Sequence, residues 1–209
     1  MPSDIIFYTN PMSRGQIARW MLEEVGQPYD MTVLDYGTTM KDPDYLALNP
    51  MGKVPAIVHK GRVVTEAAAI CAYLADTFPE ADLAPSLDQR ADYYRWLFFA
   101  AGPVEAAVSN KALGLTVPEG RERSMGYGSY DQTIATLEKA ISGDQWICGN
   151  QFTAADVYVG AQVDWGLSFG TIDSRPAFEA YAARLRERPA YKRQKELDGA
   201  LIAKMQKPA

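Results

Sequence analysis

The apolar pattern of this chain changes its period at about residue 80, which limits the fold to two domains of different class. Up to that point short apolar runs alternate with a helical pattern, whereas afterwards the apolar residues recur at helical spacing only. The segment from Pro79 to Leu87 contains two prolines and two acidic residues, a composition typical of a linker. We therefore predict a first domain at residues 1–80, a linker at 81–87 and a second domain at 88–209.

The first domain has the pattern of an α/β fold. Residues 5–8 and 29–34 form short apolar runs typical of strands, and the helical stripe between them ends at Gly26. A hairpin and a last helix follow, at residues 56–58, 62–64 and 66–78. A strand-helix-strand unit, a loop, a hairpin and a helix together predict a mixed four-stranded sheet in the thioredoxin-like arrangement.

The second domain is predicted to be an all-α helical bundle. Its apolar residues indicate helices at residues 88–113, 119–141, 177–187 and 191–204, the first of them kinked at Pro103. Thr153 to Asp156 has the pattern of a capping box, with Asp in the place of the usual Glu, and predicts the start of a further helix.

Composition and charge argue against several classes of function. The net charge of −5, without a cluster of Lys and Arg, disfavours nucleic-acid binding through phosphate neutralisation. The amino terminus lacks a secretory signal, and the longest apolar patch is far shorter than the roughly 20 residues of a membrane helix, so we expect a cytoplasmic protein without a membrane partner. Two distant cysteines and a single histidine indicate no disulfide scaffold, no CxxC motif and no metal site.

Two short segments point to a binding site for a peptide-like zwitterion. Lys53 to Val58 is a largely apolar run with Pro55 near its start, and a proline there leaves backbone groups of a strand without partners. Thr65, Glu66 and Ala67 open the next helix, where N–H groups suit a carboxylate and the acidic side chain suits an ammonium group. Together the segments match the two charges of an amino-acid end.

Further motifs follow one another along almost all of the chain. They are Phe7-Tyr8 with Pro11 and Ser13, Asn49-Pro50 before Val54-Pro55, Thr65-Glu66 before Ala69-Ile70 and Tyr73-Leu74, and the capping box. In this order the chain resembles the cytosolic glutathione transferases of the bacterial type. The resemblance implies a twofold homodimer that conjugates the thiolate of glutathione, its cosubstrate, to small hydrophobic electrophiles in detoxification, without a metal.

The resemblance assigns glutathione-binding roles to Lys53, Val54, Pro55, Thr65, Glu66 and Ala67. It implies a cis bond before Pro55, backbone pairing of Val54 with the cysteinyl part of glutathione, and a contact of Glu66 with the γ-glutamyl ammonium group. The N–H of Ala67, where many members carry serine, would bind the α-carboxylate, and Lys53 the glycyl carboxylate. Other interpretations stay open: a trans-proline at a strand edge, Glu66 as a helix-start acid, and Lys53 as a solvated surface residue.

The transfer reaction requires a thiolate, whereas a free cysteine thiol has a pKa of about 8.5 and is mostly protonated at neutral pH. Ser13 lies between the first strand and the first helix, where its hydroxyl and the positive helix end would both stabilise the thiolate. The resemblance implies a serine-type site, since the positions from Met12 to Gly15 hold no cysteine. Three alternatives remain: Ser13 as a helix cap only, Asn10 as an amide donor, and Arg14 as a source of positive charge.

Two other functions are compatible with the same fold. Glutathione-dependent isomerisation or disulfide-bond reduction would regenerate the bound thiol, and a glutathione-binding or regulatory protein would keep the fold without catalysis. The joint presence of Ser13, Pro55 and Glu66 argues against the non-catalytic function, because a pure interaction module does not need all three.

Overall fold

The computed structural model describes residues 3–206, which form two compact units. The first unit consists of the chain up to Ala81 together with the chain from Arg188 onward, and the second runs from Asp82 to Glu187. The first is an α/β unit and the second is helical, so the predicted fold class is confirmed. None of the helices among residues 3–206 is both long enough and apolar enough to cross a membrane.

The first unit contains the mixed four-stranded sheet that the sequence predicts. Its strands are β1 (Ile5–Thr9), β2 (Asp30–Val33), β3 (Ala56–His59) and β4 (Arg62–Thr65), in the spatial order β2-β1-β3-β4. β1 is parallel to β2 and antiparallel to β3, and β3 is antiparallel to β4. Helices α1 (Gly15–Val25), α2 (Pro43–Leu48) and α3 (Ala67–Thr77) follow β1, β2 and β4.

Helix α2 lies where the sequence analysis expects only a loop. Pro43 is its first residue, and proline is favoured there because that position has no use for an N–H donor within the helix. The helix is six residues long, which is too short for a helical period to stand out in the sequence. Its buried residue, Tyr45, contacts Tyr8 of β1, with ring centroids 5.5 Å apart.

The second unit is built from helices α4 (Arg90–Phe99), α5 (Glu105–Ala112), α6 (Tyr130–Ile141), α7 (Ala154–Phe169) and α8 (Pro176–Arg186). A π-helical turn, Ala100–Val104, joins α4 to α5 and contains Pro103. Proline removes a backbone donor from the helix, and such a wider turn accommodates the loss. The predicted single helix is therefore interrupted at the residue expected to kink it.

The helix predicted from Glu119 begins later than expected. Helix α6 starts at Tyr130, and the hydroxyl of Ser129 before it accepts a hydrogen bond from the N–H of Gln132. Gly128 adopts a φ of 67°, which the helical conformation does not allow. The chain between α5 and α6 is therefore a loop with one short 3-10 turn, Glu122–Ser124.

The capping box at the start of α7 is present, and its acid binds more than the helix end. The buried carboxylate of Asp156 accepts hydrogen bonds from the N–H of Thr153 at 2.9 Å, the N–H of Ile147 at 2.8 Å and the hydroxyl of Tyr181 at 2.7 Å. Burial raises the pKa of Asp156, whereas these hydrogen bonds act in the opposite direction. One carboxylate therefore joins a loop, α7 and α8.

The last helix, α9 (Pro189–Met205), packs against α1 in the first unit. Arg19 Nε lies 2.8 Å from Asp198 Oδ1, and both side chains are buried. Arg188 forms a second ion pair, at 2.7 Å, with Glu24 of α1. The range of 88–209 remains a prediction about the order of the domains along the chain. By its packing, however, α9 belongs to the first compact unit. Helical spacing identifies a helix in a sequence, but it does not identify the domain against which that helix packs.

Loss of the Asp198 charge should destabilise the fold. We expect Asp198→Asn to lower the free energy of unfolding by about 3–5 kcal/mol, because the Arg19 guanidinium would remain buried without a counterion. Glu196→Gln on the same helix, where the Glu196 side chain is 72% exposed, is the matched control and should change it by less than about 0.5 kcal/mol. Urea unfolding measures both values, and equal losses would contradict the assignment.

Candidate functional site

Three segments meet at one edge of the sheet in the first unit. Tyr8 pairs with Ala56 and Ala56 pairs with Thr65, so the end of β1, the start of β3 and the end of β4 lie side by side. Neighbouring strands are about 4.8 Å apart, so residues just beyond these ends share that edge. The edge therefore brings together residues 10–14, 53–55 and 65–67, which include every site residue predicted from the sequence.

The segment before β3 presents backbone groups without partners. The peptide bond between Val54 and Pro55 is cis, and Pro55 is buried. Among residues 3–206, the N–H and C=O of Val54 have no hydrogen-bond partner. An extended peptide placed beside Val54 can therefore bind as an added strand.

Two side chains that the sequence analysis did not assign to the site support this segment. The carbonyl of Lys53 accepts hydrogen bonds from the hydroxyl of Tyr45 at 2.5 Å and from Nδ2 of Asn49 at 2.8 Å. The only signal for Asn49 in the sequence was its place in the Asn49-Pro50 motif. The Lys53 side chain itself is exposed to solvent.

Glu66 has a strained backbone at the start of α3. Its φ of 67° and ψ of 118° lie in a region that residues with side chains rarely adopt, at a cost of about 1–3 kcal/mol. Its carboxylate is exposed and does not cap the helix. In the part of the chain that the structure describes, the N–H groups of Ala67 and Ala68 also lack acceptors. A helix end suited to an anion thus lies beside an exposed carboxylate suited to a cation.

Ser13 is placed in the turn between β1 and α1 by two hydrogen bonds. Its hydroxyl donates to the carbonyl of Asn10 at 2.6 Å and accepts from the N–H of Gly15 at 2.9 Å. A serine hydroxyl has one hydrogen, so donation to an incoming sulfur atom requires it to turn away from Asn10. The backbone N–H of Ser13 has no partner among residues 3–206 and is a second donor at the same position.

The two alternatives to Ser13 occupy different environments. Asn10 is 1% exposed, and its Nδ2 donates to the carbonyl of Leu34 at 2.8 Å while its Oδ1 accepts from the N–H of Met12 at 3.0 Å. This amide therefore ties the turn to the residue after β2, which is a structural role. Arg14 is the exposed N-cap residue of α1, where its charge adds to the positive end of the helix.

A glycine allows α1 to begin close to β1. A Cβ atom on Gly15 would lie 2.0 Å from Oγ1 of Thr9, far closer than atoms can approach, so a larger residue would displace the helix start. Thr9 is fully buried, and its hydroxyl has no hydrogen-bond partner within residues 3–206. The sequence analysis gave neither residue a role, and the only signal was a glycine at the head of a predicted helix.

Neither cysteine is a reactive thiol. Burial raises the pKa of Cys71, inside α3, far above its usual range, and it raises the pKa of Cys148 in the second unit to about 12. Both thiols are therefore protonated at neutral pH, so the thiolate that the transfer reaction requires would have to come from a ligand. Within residues 3–206, no group of three or more His, Cys, Asp and Glu side chains could hold a metal ion.

Residues 12–77 match the family model for the glutathione S-transferase N-terminal domain. Glutathione S-transferase GST-4.5 of Xanthomonas campestris pv. campestris is 29% identical over 85% of this chain and 91% of that protein. The glutathione S-transferase-like protein gedE of Aspergillus terreus is 33% identical over 73% of each chain. A sphingomonad glutathione S-transferase, solved in complex with glutathione, is 27% identical and superposes with a TM-score of 0.74 over 93% of this chain and 98% of that one.

Glycine at position 66 should relieve the backbone strain. We expect Glu66→Gly to raise the free energy of unfolding by about 1 kcal/mol, because glycine adopts a positive φ without a steric penalty. Part of the gain is offset because glycine makes the unfolded chain more flexible. Glu66→Ala removes the same carboxylate but keeps a Cβ, so it should not be stabilising. Urea unfolding of both variants makes the comparison, and equal stabilities would show that position 66 is not strained.

Proposed function

The chain belongs to the glutathione S-transferase family, and we propose that it transfers the thiolate of glutathione to small hydrophobic electrophiles. The observation that carries the proposal is the pairing of Ala56 with Thr65, which places the unpartnered backbone of Val54 beside the strained Glu66. We further expect a twofold homodimer, as in the family, which the mass of the protein in solution tests.

Glutathione would bind to this edge through complementary charges and backbone groups. The N–H and C=O of Val54, positioned by Pro55, would pair with the cysteinyl residue in the manner of an added strand. The carboxylate of Glu66 would accept the γ-glutamyl ammonium group, and the N–H groups at Ala67 would bind the α-carboxylate. Thr65 ends β4 and sets the position of both residues, while the exposed Lys53 would meet the glycyl carboxylate.

The bound thiol would be activated at the start of α1. The hydroxyl of Ser13, turned from the Asn10 carbonyl, would donate to the sulfur atom together with the Ser13 N–H and the positive end of the helix. Each interaction favours the thiolate over the thiol and so lowers the thiol pKa. The sulfur then forms a bond to an electrophilic carbon, and the leaving group departs with the electron pair of its broken bond.

Removal of the Glu66 charge should weaken glutathione binding. We expect Glu66→Gln to raise the Kd by about tenfold to a hundredfold, because a hydrogen bond between charged groups contributes about 1.5–3 kcal/mol. Glu80→Gln, at an exposed acid beyond the end of α3, is the control and should leave the Kd unchanged. Titration calorimetry with glutathione measures both variants. If the wild type does not bind glutathione, the proposed function is wrong.

The Ser13 hydroxyl should lower the pKa of the bound thiol. We expect Ser13→Ala to raise the apparent pKa in the pH profile of kcat/KM by about one to two pH units, since a hydrogen bond to a charged group is worth about 1.5–3 kcal/mol. Ser13→Thr keeps a hydroxyl and should retain most of the effect. Chlorodinitrobenzene, an aromatic electrophile that releases chloride on conjugation, serves as the probe.

An unchanged profile in Ser13→Ala would exclude the hydroxyl and leave the backbone N–H and Arg14 as the activating groups. Glutathione binding with reduction of a glutathione-linked disulfide, or with isomerisation, but without conjugation would contradict the transferase assignment. In that case the site would serve a reaction that regenerates the thiol.

A further inference from the structure

Every carbonyl of the turn from Asn10 to Ser13 accepts a hydrogen bond. The hydroxyl of Ser13 donates to the carbonyl of Asn10, and Nε2 of Gln16 donates to the carbonyl of Pro11 at 2.6 Å. The hydroxyl of Tyr36 donates to the carbonyl of Met12 at 3.1 Å. The backbone N–H of Gln16 donates to the carbonyl of Ser13, also at 3.1 Å. Gln16 therefore makes two of these four contacts, whereas Ser13 and Tyr36 make one each.

The other end of the Gln16 side chain reaches the last helix. Its Oε1 accepts from Nζ of Lys195 at 3.3 Å and lies 3.5 Å from Nε2 of Gln194, both on α9. A single carboxamide thus connects the active-site turn to a helix that lies about 180 residues further along the chain. Its Nε2 donates to the turn and its Oε1 accepts from α9, so both ends of the amide form hydrogen bonds.

The α9 side of this connection is fixed by a buried polar cluster. Nε2 of Gln194 donates to Oδ2 of Asp198 at 2.6 Å, and Nε of Arg19 donates to Oδ1 of the same carboxylate at 2.8 Å. All three residues are no more than 3% exposed. Arg19 also lies over the ring of Phe7 in β1, with its guanidinium carbon 5.5 Å from the ring centroid. The cluster therefore extends from the sheet through α1 to α9.

We propose that Gln16 is a positioning residue through which α9 holds the turn that carries Ser13. The proposal rests on the proposed function only for its catalytic consequence. Without the Gln16 side-chain amide, the Pro11 carbonyl loses its donor. The turn then keeps its contacts at Asn10 and Met12 and the backbone hydrogen bond from Gln16 to the Ser13 carbonyl. Ser13 then samples more positions, and small displacements of a group that acts on a reacting atom reduce the rate strongly.

The experiment compares Gln16→Met, Lys195→Met and Lys204→Met. The first removes the amide at similar size, and the second removes the shorter of its two contacts on α9. The third removes an exposed charge from the same helix and is the matched control. Two readouts are used: the pH profile of kcat/KM with glutathione and chlorodinitrobenzene, and the amide hydrogen exchange of Met12 and Gly15 without ligand.

We expect Gln16→Met to lower kcat/KM about tenfold at neutral pH and less at high pH, with the Kd for glutathione changed less than about threefold. Exchange at Met12 and Gly15 should become at least about fivefold faster. Lys195→Met should show a smaller effect of the same kind, and Lys204→Met none. Combining the first two substitutions should add little to Gln16→Met alone, since both act on one connection.

Wild-type behaviour of Gln16→Met in both readouts would overturn the proposal. Equal effects of Lys195→Met and Lys204→Met, or full additivity of the Gln16 and Lys195 substitutions, would overturn the link to α9. Amide exchange needs no glutathione, so it decides whether Gln16 positions the turn even if the wild type fails to bind glutathione and the proposed function falls. Thermal unfolding confirms that each variant is folded before either readout is taken.

Discussion

The pairing of Ala56 with both Tyr8 and Thr65 is the constraint on which the candidate site depends. β3 lies between β1 and β4, so its register decides which strand ends meet. A slip of one residue would turn the fully buried Ile57 toward the opposite face of the sheet. Burial of the apolar face therefore fixes the register, and the register places the segments before β3 and after β4 at one edge.

That edge concentrates unfavourable backbone features of the first unit. The peptide groups of Val54 and the first N–H groups of α3 have no partners among residues 3–206, and Glu66 adopts a strained φ. Most backbone groups in a folded protein are paired, because leaving a buried donor or acceptor without a partner is costly. Groups that are left open toward a ligand remain available for binding it. The features that weaken this edge are therefore the ones through which a peptide-like zwitterion would bind under the proposed function.

Local patterns in the sequence were sufficient for the sheet and for the residues that meet at its edge. Strand and helix periods are short-range signals, and Pro55 and Glu66 stand at the ends of elements that those signals define. Other features depend on contacts between distant segments. The packing of α9 on α1 and the direction of the Ser13 hydroxyl, toward the Asn10 carbonyl, are such features, and no period in the chain encodes them. The six-residue helix α2 was missed because it is too short to show a period.

The buried pair of Arg19 and Asp198 explains how a distant helix can influence the turn that carries Ser13. A buried ion pair adds little net stability compared with apolar residues of the same size, but a charge left there alone is strongly unfavourable. If α9 moved along α1 by one helical turn, about 5.4 Å, Arg19 would lose its counterion. The ion pair therefore permits one position of α9, and in that position Lys195 faces Gln16. The ion pair fixes the position of α9, and α9 in turn fixes the position of the Gln16 amide. The amide then holds the turn on which Ser13 lies.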